Sequence, residues 1–305
     1  MSKDTAKPQY FTDIRANGWV ALLPAAVRPY ILLARLERPA GIWYLLLPSL
    51  WAIVLASGHF SSETLRIILL FGFGSVIMRA AGCVINDLWD RNLDKGVERT
   101  ARRPLASGAI SVKQGLFFLA GLLLAGLVIL LQLNSATILL GFVSMGFVVI
   151  YPLMKRVTWW PQAFLGLTFN FGALMGWSAV TGSLGWPALA LYTGGIFWTL
   201  GYDTIYAHQD KEDDLLAGIK SSALFLGERS YFWVSVFYAL SWILFLLAHA
   251  LTAGGYMQSI YALPAFIFMI ILLYRWHPED QASSLSTFKA GRNYGLLILL
   301  YFLIT

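Results

Sequence analysis

Charge is scarce in this sequence. Asp, Glu, Lys and Arg make up 12% of its 305 residues, whereas 58% are hydrophobic. A soluble domain carries about 25% charged residues. So little polar side chain cannot cover a fold of this length in water, which excludes a soluble globule, and the mean hydropathy of +0.66 agrees. The single cysteine, Cys83, excludes an internal disulfide and reads as a small apolar packing residue. A secretory pattern is missing too: the apolar stretch from Trp19 to Val27 is interrupted by Pro24 and flanked by charge. Asp4 and Asp13 argue against a transit peptide. Residues 1–38 are expected to form a cytoplasmic arm with a short amphipathic helix on the membrane surface.

Long apolar runs are plentiful. A helix needs about 20 such residues to cross the hydrocarbon core. Runs near 40–57, 65–86, 114–132, 136–153, 160–181, 186–206, 231–250, 256–275 and 285–305 predict about nine spans. The last run starts only after Tyr294, so that helix needs Ser284 to Arg292 for its length. Most of the 22 Lys and Arg residues fall on the N-terminal arm and on the loops after every second span, while 58–64, 133–135, 182–185 and 251–255 contain none and Arg66 alone lies close to that side. That is the positive-inside pattern with a cytoplasmic N-terminus. Orientation accounts for the net charge of +6, and no nucleic acid partner is needed. The fold class expected is all-α, a polytopic membrane bundle.

Most of the acids gather in two strings, both assigned to cytoplasmic loops (87–113 and 207–230). Asp90 and Asp94 precede Asp210 and Asp214 by 120 positions, and Lys155 precedes Arg275 by the same offset. The offset suggests two pseudo-repeated four-helix units plus a last helix within a single domain over 39–305. Asn86, Asp90 and Asp94 are spaced four apart, on one face of a helix, and Asp210 and Asp214 are one turn apart. Carboxylates at a helix end inside a membrane protein need positive charge to offset them. Hard oxygen ligands with little His or Cys nearby suit Mg²⁺ or Ca²⁺, not zinc. Arg91, Arg99, Arg102, Arg103, Lys155, Arg156 and Lys220 share that side of the membrane, so acids and bases together fit a diphosphate clamp. The plainer reading is solvated loop charges in local pairs, Asp87 with Arg91 and Asp94 through Glu98 to Arg102. Two matched strings in a chain so poor in acids favour the clamp.

These residues resemble the UbiA-type intramembrane aromatic prenyltransferases. "NDLWDRNLD" (Asn86 to Asp94) is similar to that family's NDxxDxxxD motif, "DKEDD" (Asp210 to Asp214) to its DxxxD motif, and "YPLMK" (Tyr151 to Lys155) to its YxxxK. "RTARRPLASG", "LGYDTIYAHQDKEDD" and "GIKSSALFLG" bring the 4-hydroxybenzoate polyprenyltransferase branch nearest. The resemblance implies nine transmembrane helices around a central cavity with a cytoplasmic polar cap. It implies Mg²⁺ as cofactor, polyprenyl diphosphate and 4-hydroxybenzoate as substrates, membrane lipid as surroundings, and association with other enzymes of quinone biosynthesis. The reaction would place the prenyl chain ortho to the phenol and release diphosphate.

On the family's pattern, Asn86, Asp90 and Asp94 would hold one Mg²⁺, and Asp210 with Asp214 another. Arg91, Arg103, Lys155 and Arg156 would bind the diphosphate. Arg38 and Arg79 are the candidates for the aromatic carboxylate. Asn170, within a span, faces the substrate or bonds a neighbouring helix. Asp203, about two turns before Asp210, orients or deprotonates the phenol, or holds a buried tyrosine hydroxyl. His208 beside the second string is not a group that Mg²⁺ asks for. Twelve Trp, 14 Tyr and 20 Phe residues are read as interface belts and packing, with no catalytic role given to any one of them. Homogentisate, a dihydroxynaphthoate, haem or chlorophyllide as acceptor would keep the same chemistry. A transporter would need acids along a path through the bilayer, and a prenyl-lipid binding protein would lack turnover. With no presequence pattern evident, the expected location is a bacterial inner membrane.

Overall fold

A bilayer leaves long apolar runs little choice but helix, because each backbone N–H and C=O must find its partner without water. The computed structural model describes residues 18–97, 100–216, 218–253 and 255–305. In chain order the helices are α1 (Arg28–Leu33), α2 (Ala40–Ser57), α3 (Ser62–Asp94), α4 (Pro104–Ser107), α5 (Val112–Leu130), α6 (Ser135–Val157) and α7 (Pro161–Phe169). They continue with α8 (Phe171–Thr181), α9 (Trp186–Gln209), α10 (Lys211–Leu216), α11 (Ser222–Leu226), α12 (Ser230–Ala253), α13 (Leu263–Tyr274) and α14 (Gln281–Ile304). No strand occurs among the described residues. Residues 1–17 of the N-terminal arm, with Glu98 and Arg99, lie outside them.

Each expected span is helical, with instructive differences. α3 runs eight residues past its expected end at 86, because neither proline nor glycine interrupts Cys83 to Lys95. The first acidic string is therefore helical, not part of a loop. The helix stops just before Lys95 and Gly96, and the Thr100 hydroxyl donates to the Asp94 carbonyl at 3.0 Å. The run 160–181 is broken at Asn170 into α7 and α8. α14 does draw on Ser284 to Arg292, and Asp280 caps its start by accepting from the Ala282 N–H at 2.8 Å. Among the described residues, seven helical segments are long and apolar enough to cross a membrane. α9 and α14 are not among the seven. Asp203, His208 and Gln209 make α9 more polar, as Lys289, Arg292 and Asn293 do α14.

The chain divides into two compact units, one of Met1–Pro39 and Met78–Leu124, the other of Ala40–Ile77 and Ala125–Thr305. In the first, Leu33, Val84, Leu105 and Ile110 are buried together. Tyr30 meets Phe118 edge-on at 5.2 Å, fastening α1 to α5. Arg35, just past α1, has φ +53°, the one positive φ outside glycine among the described residues. A left-handed conformation costs a side-chain-bearing residue about 1–2 kcal/mol.

The second unit is built around α9, which packs against α2, α7, α8, α12 and α14. Apolar contact alone gives helices in lipid little reason to associate, so small residues and polar bonds matter more. Both are present. Gly172 and Gly176 are one turn apart on α8, and a Cβ on Gly176 would come 2.6 Å from the Ser49 carbonyl oxygen of α2. Trp51 Nε1 donates to the Gly295 carbonyl at 2.9 Å. Asn134 caps α6 through the Thr137 N–H at 2.9 Å and donates to the Ser178 carbonyl at 2.7 Å. Tyr44 and Tyr202 stack at 4.0 Å between ring centres. The apolar side chains left exposed on α6, Leu139, Phe142 and Ile150 among them, are suited to lipid.

Candidate functional site

The first acidic string ends α3 inside the first unit. Asp87, Asp90 and Asp94, three and four residues apart, share one helix face and are 2%, 0% and 5% exposed. Solvated loop charges would not be buried, so the plainer reading fails here. Asp87 does not pair locally with Arg91 as that reading had it. Arg35 Nη2 donates to Asp87 Oδ1 at 2.6 Å, and Arg103 Nη1 reaches the same oxygen at 3.5 Å. Arg103 Nη1 also lies 3.2 and 3.1 Å from the two Asp94 oxygens. Arg91 turns to the backbone, its Nε donating to the Leu105 carbonyl at 3.3 Å. Asn86 is half-buried on the same helix. Arg35 and Asp87 are thus two charged residues at the site that motif reasoning passed over.

The second string breaks its helix. Asp210 is the C-cap of α9, with its side chain buried, and the Asp214 N–H donates to the Asp210 carbonyl at 2.9 Å, one turn on in α10. Asp214 is half-buried. The chain that follows is fastened to the end of α6. The Lys220 N–H donates to the Lys155 carbonyl at 3.0 Å, and Lys220 Nζ to the Val157 carbonyl at 3.2 Å. The structure therefore brings Lys155, half-buried, beside the segment that carries the second string. Arg156 is exposed. Ser222 closes the segment by bonding the Thr204 hydroxyl at 2.7 Å and donating its N–H to Gln162 Oε1 at 3.0 Å.

The remaining candidates are spread over both units. Asp203 is half-buried on α9, two turns before Asp210 and so on the same side of that helix. His208 is buried edge-on against Trp276, ring centres 5.4 Å apart. In the first unit Arg79 is half-buried on α3, and Arg38 Nε donates to Glu37 Oε1 at 2.9 Å. Asn170 is fully buried at the α7–α8 break, donating to the Gly166 carbonyl and the Thr199 hydroxyl, both at 2.8 Å. Its amide ties α7 to α9, the second of the two uses the sequence offered.

Mg²⁺ fits this chemistry. It takes one or two carboxylates and completes its shell with water and phosphate oxygens. No three His, Cys, Asp or Glu side chains converge on one point among the described residues. A set of one or two acids suffices for Mg²⁺, and Asp90 and Asp94 on one buried helix face supply such a set.

Comparison with known proteins supplies the family. The model of the UbiA prenyltransferase family matches residues 45–297. A rat protein named "4-hydroxybenzoate polyprenyltransferase, mitochondrial" is 52% identical over 227 residues, 74% of this chain and 60% of that protein. "4-hydroxybenzoate geranyltransferase 1" of Lithospermum erythrorhizon is 49% identical over 83% of this chain and 80% of its own length. The chain spans about 60% of the length of the mitochondrial relatives, as with the rat protein. The expectation of a bacterial inner membrane finds no support in relatives named as mitochondrial. A UbiA homologue from Aeropyrum pernix K1 shares the fold at TM-score 0.72 and 21% identity, covering 86% of this chain and 97% of its own. Another from Archaeoglobus fulgidus, solved with GPP and Mg²⁺, gives 0.66 at 20% identity over 89% of this chain and 99% of its own. An all-helical integral membrane protein, with its motif acids gathered at helix ends, this chain belongs to the UbiA prenyltransferase family.

Proposed function

We propose that this protein transfers a polyprenyl group from its diphosphate to the ring carbon ortho to the hydroxyl of 4-hydroxybenzoate, releasing diphosphate, with Mg²⁺ as cofactor, in ubiquinone biosynthesis. One observation carries the reading: Asp87, Asp90 and Asp94 of the first motif are buried, Asp87 and Asp94 against guanidinium groups, in a chain half identical to proteins named for this acceptor. The rat and Lithospermum proteins share the acceptor in their names and differ in the prenyl group. That agreement favours 4-hydroxybenzoate over homogentisate, a dihydroxynaphthoate, haem or chlorophyllide.

Asn86, Asp90 and Asp94, and in the second unit Asp210 and Asp214, would hold Mg²⁺. Bound there, the ion supplies Lewis-acid stabilisation of charge growing on the departing diphosphate. Arg103 and Lys155 neutralise phosphate oxygens, with Arg91 and Arg156 as further cations for the same group. Arg38 and Arg79 take the aromatic carboxylate. Asp203 orients the phenol or accepts its proton. The apolar surroundings keep water from the allylic cation that forms when diphosphate leaves.

Purified protein is incubated with geranyl diphosphate, Mg²⁺ and a panel of aromatic acids, and product masses are read. The expected product is 4-hydroxybenzoate carrying one geranyl group on carbon. Product from another acceptor alone overturns the substrate assignment, and no product from a folded protein overturns the reaction.

A further inference from the structure

The end of α1 is closed by two backbone bonds. The Leu36 N–H donates to the Ile31 carbonyl at 3.2 Å and the Arg35 N–H to the Leu32 carbonyl at 3.1 Å. This is the Schellman arrangement, whose left-handed residue is most often glycine because a Cβ is disfavoured there. Here that residue is Arg35, at φ +53°. The backbone gains nothing from arginine at this position, so its reason lies in the side chain. Strain of this kind persists where surrounding contacts over-determine it and is concentrated at functional sites.

The contacts are those of the first acidic string. Arg35 Nη2 donates to Asp87 Oδ1 at 2.6 Å across 52 residues of sequence, with the Asp87 side chain 2% exposed. The same oxygen accepts from Arg103 Nη1 at 3.5 Å, and that nitrogen also bonds the Asp94 oxygens at 3.2 and 3.1 Å. The four side chains form a row, Arg35, Asp87, Arg103 and Asp94, in alternating charge. Without Arg35, the buried Asp87 carboxylate would need Arg103 as its own counter-ion. That would draw Arg103 away from Asp94.

We propose that Arg35 is a positioning residue. It satisfies Asp87, and through Asp87 it sets the Arg103 guanidinium against Asp94, so that this end of α3 is ordered to receive a divalent cation with a diphosphate. The inference rests on the proposed function only for the identity of that ligand. Asp87 is the link in the row and not a metal ligand.

Arg35→Gly tests it cleanly, because glycine suits the backbone at this turn and only the guanidinium is lost. Binding of geranyl diphosphate with Mg²⁺ is measured by titration calorimetry on the full chain in detergent micelles, alongside the melting temperature. Arg35→Gly should weaken binding about ten-fold with the melting temperature kept or raised. Arg35→Lys should fall between it and the parent. Adding Asp87→Asn to Arg35→Gly should recover part of the loss, since no unpaired buried carboxylate then competes for Arg103. Unchanged binding in Arg35→Gly overturns the proposal. So does a loss that tracks a lowered melting temperature and is not recovered in the double variant. A parent protein that binds geranyl diphosphate with Mg²⁺ yet transfers nothing to 4-hydroxybenzoate would remove the proposed function and leave this test intact. A parent that binds no diphosphate overturns both.

Discussion

The two acidic strings end their helices in different ways. The first stays helical to Asp94 and is buried against Arg35 and Arg103. The second interrupts its helix at Asp210, restarts as the short α10, and is followed by a segment that Lys220 bonds to the end of α6. Guanidinium groups bond Asp87 and Asp94 of the first string, and Lys220 fastens the segment that follows the second. The first string should be more sensitive to loss of a basic side chain, and the second to change in the segment that follows it.

Removal of the metal should have the largest effect, because it acts on both strings. EDTA should abolish prenyl transfer and added Mg²⁺ restore it, followed as product mass; chelator-resistant turnover would break the account of both strings. Next, Asp210→Asn should lower turnover at least about 100-fold with the protein still folded, the scale on which a preorganised charge in a transition state is felt. Full turnover there would leave the first string working alone. Arg103→Gln should raise the KM for geranyl diphosphate about ten-fold or more and lower the melting temperature, since two buried carboxylates lose a shared partner. The smallest effect belongs to Lys220→Ala. Losing the 3.2 Å bond to the Val157 carbonyl should cost about 1 kcal/mol of stability, read by thermal melting, with KM moved less than in Arg103→Gln. An order reversed between these last two would contradict the greater sensitivity of the first string to loss of a basic side chain.

Much of this was legible in the sequence because it is local. Periodicity and hydropathy located the helices, and four-residue spacing placed Asn86, Asp90 and Asp94 on one face. The parts that were not legible depend on distant contact. Asp87 has Arg91 four residues on, which suggests a surface pair, but its partners are 52 and 16 residues away. No spacing rule reaches that far. Arg35 gave no signal, since its left-handed backbone falls where a glycine would have been the cue. Asn170 was legible as an intramembrane polar residue but not in its use, because the choice between substrate and helix partner turns on Thr199 across a packed interface. The continuation of α3 beyond residue 86 was obscured by its charge, which resembles a loop until burial is known.

The central claim, that buried motif acids sustain prenyl transfer, is tested most directly by Asp90→Asn. Product formation from geranyl diphosphate and 4-hydroxybenzoate at saturating Mg²⁺ is compared with the parent protein, with melting temperatures taken on the same samples. The account predicts product from the parent and essentially none from Asp90→Asn at a similar melting temperature. Turnover by Asp90→Asn at the parent rate would contradict it.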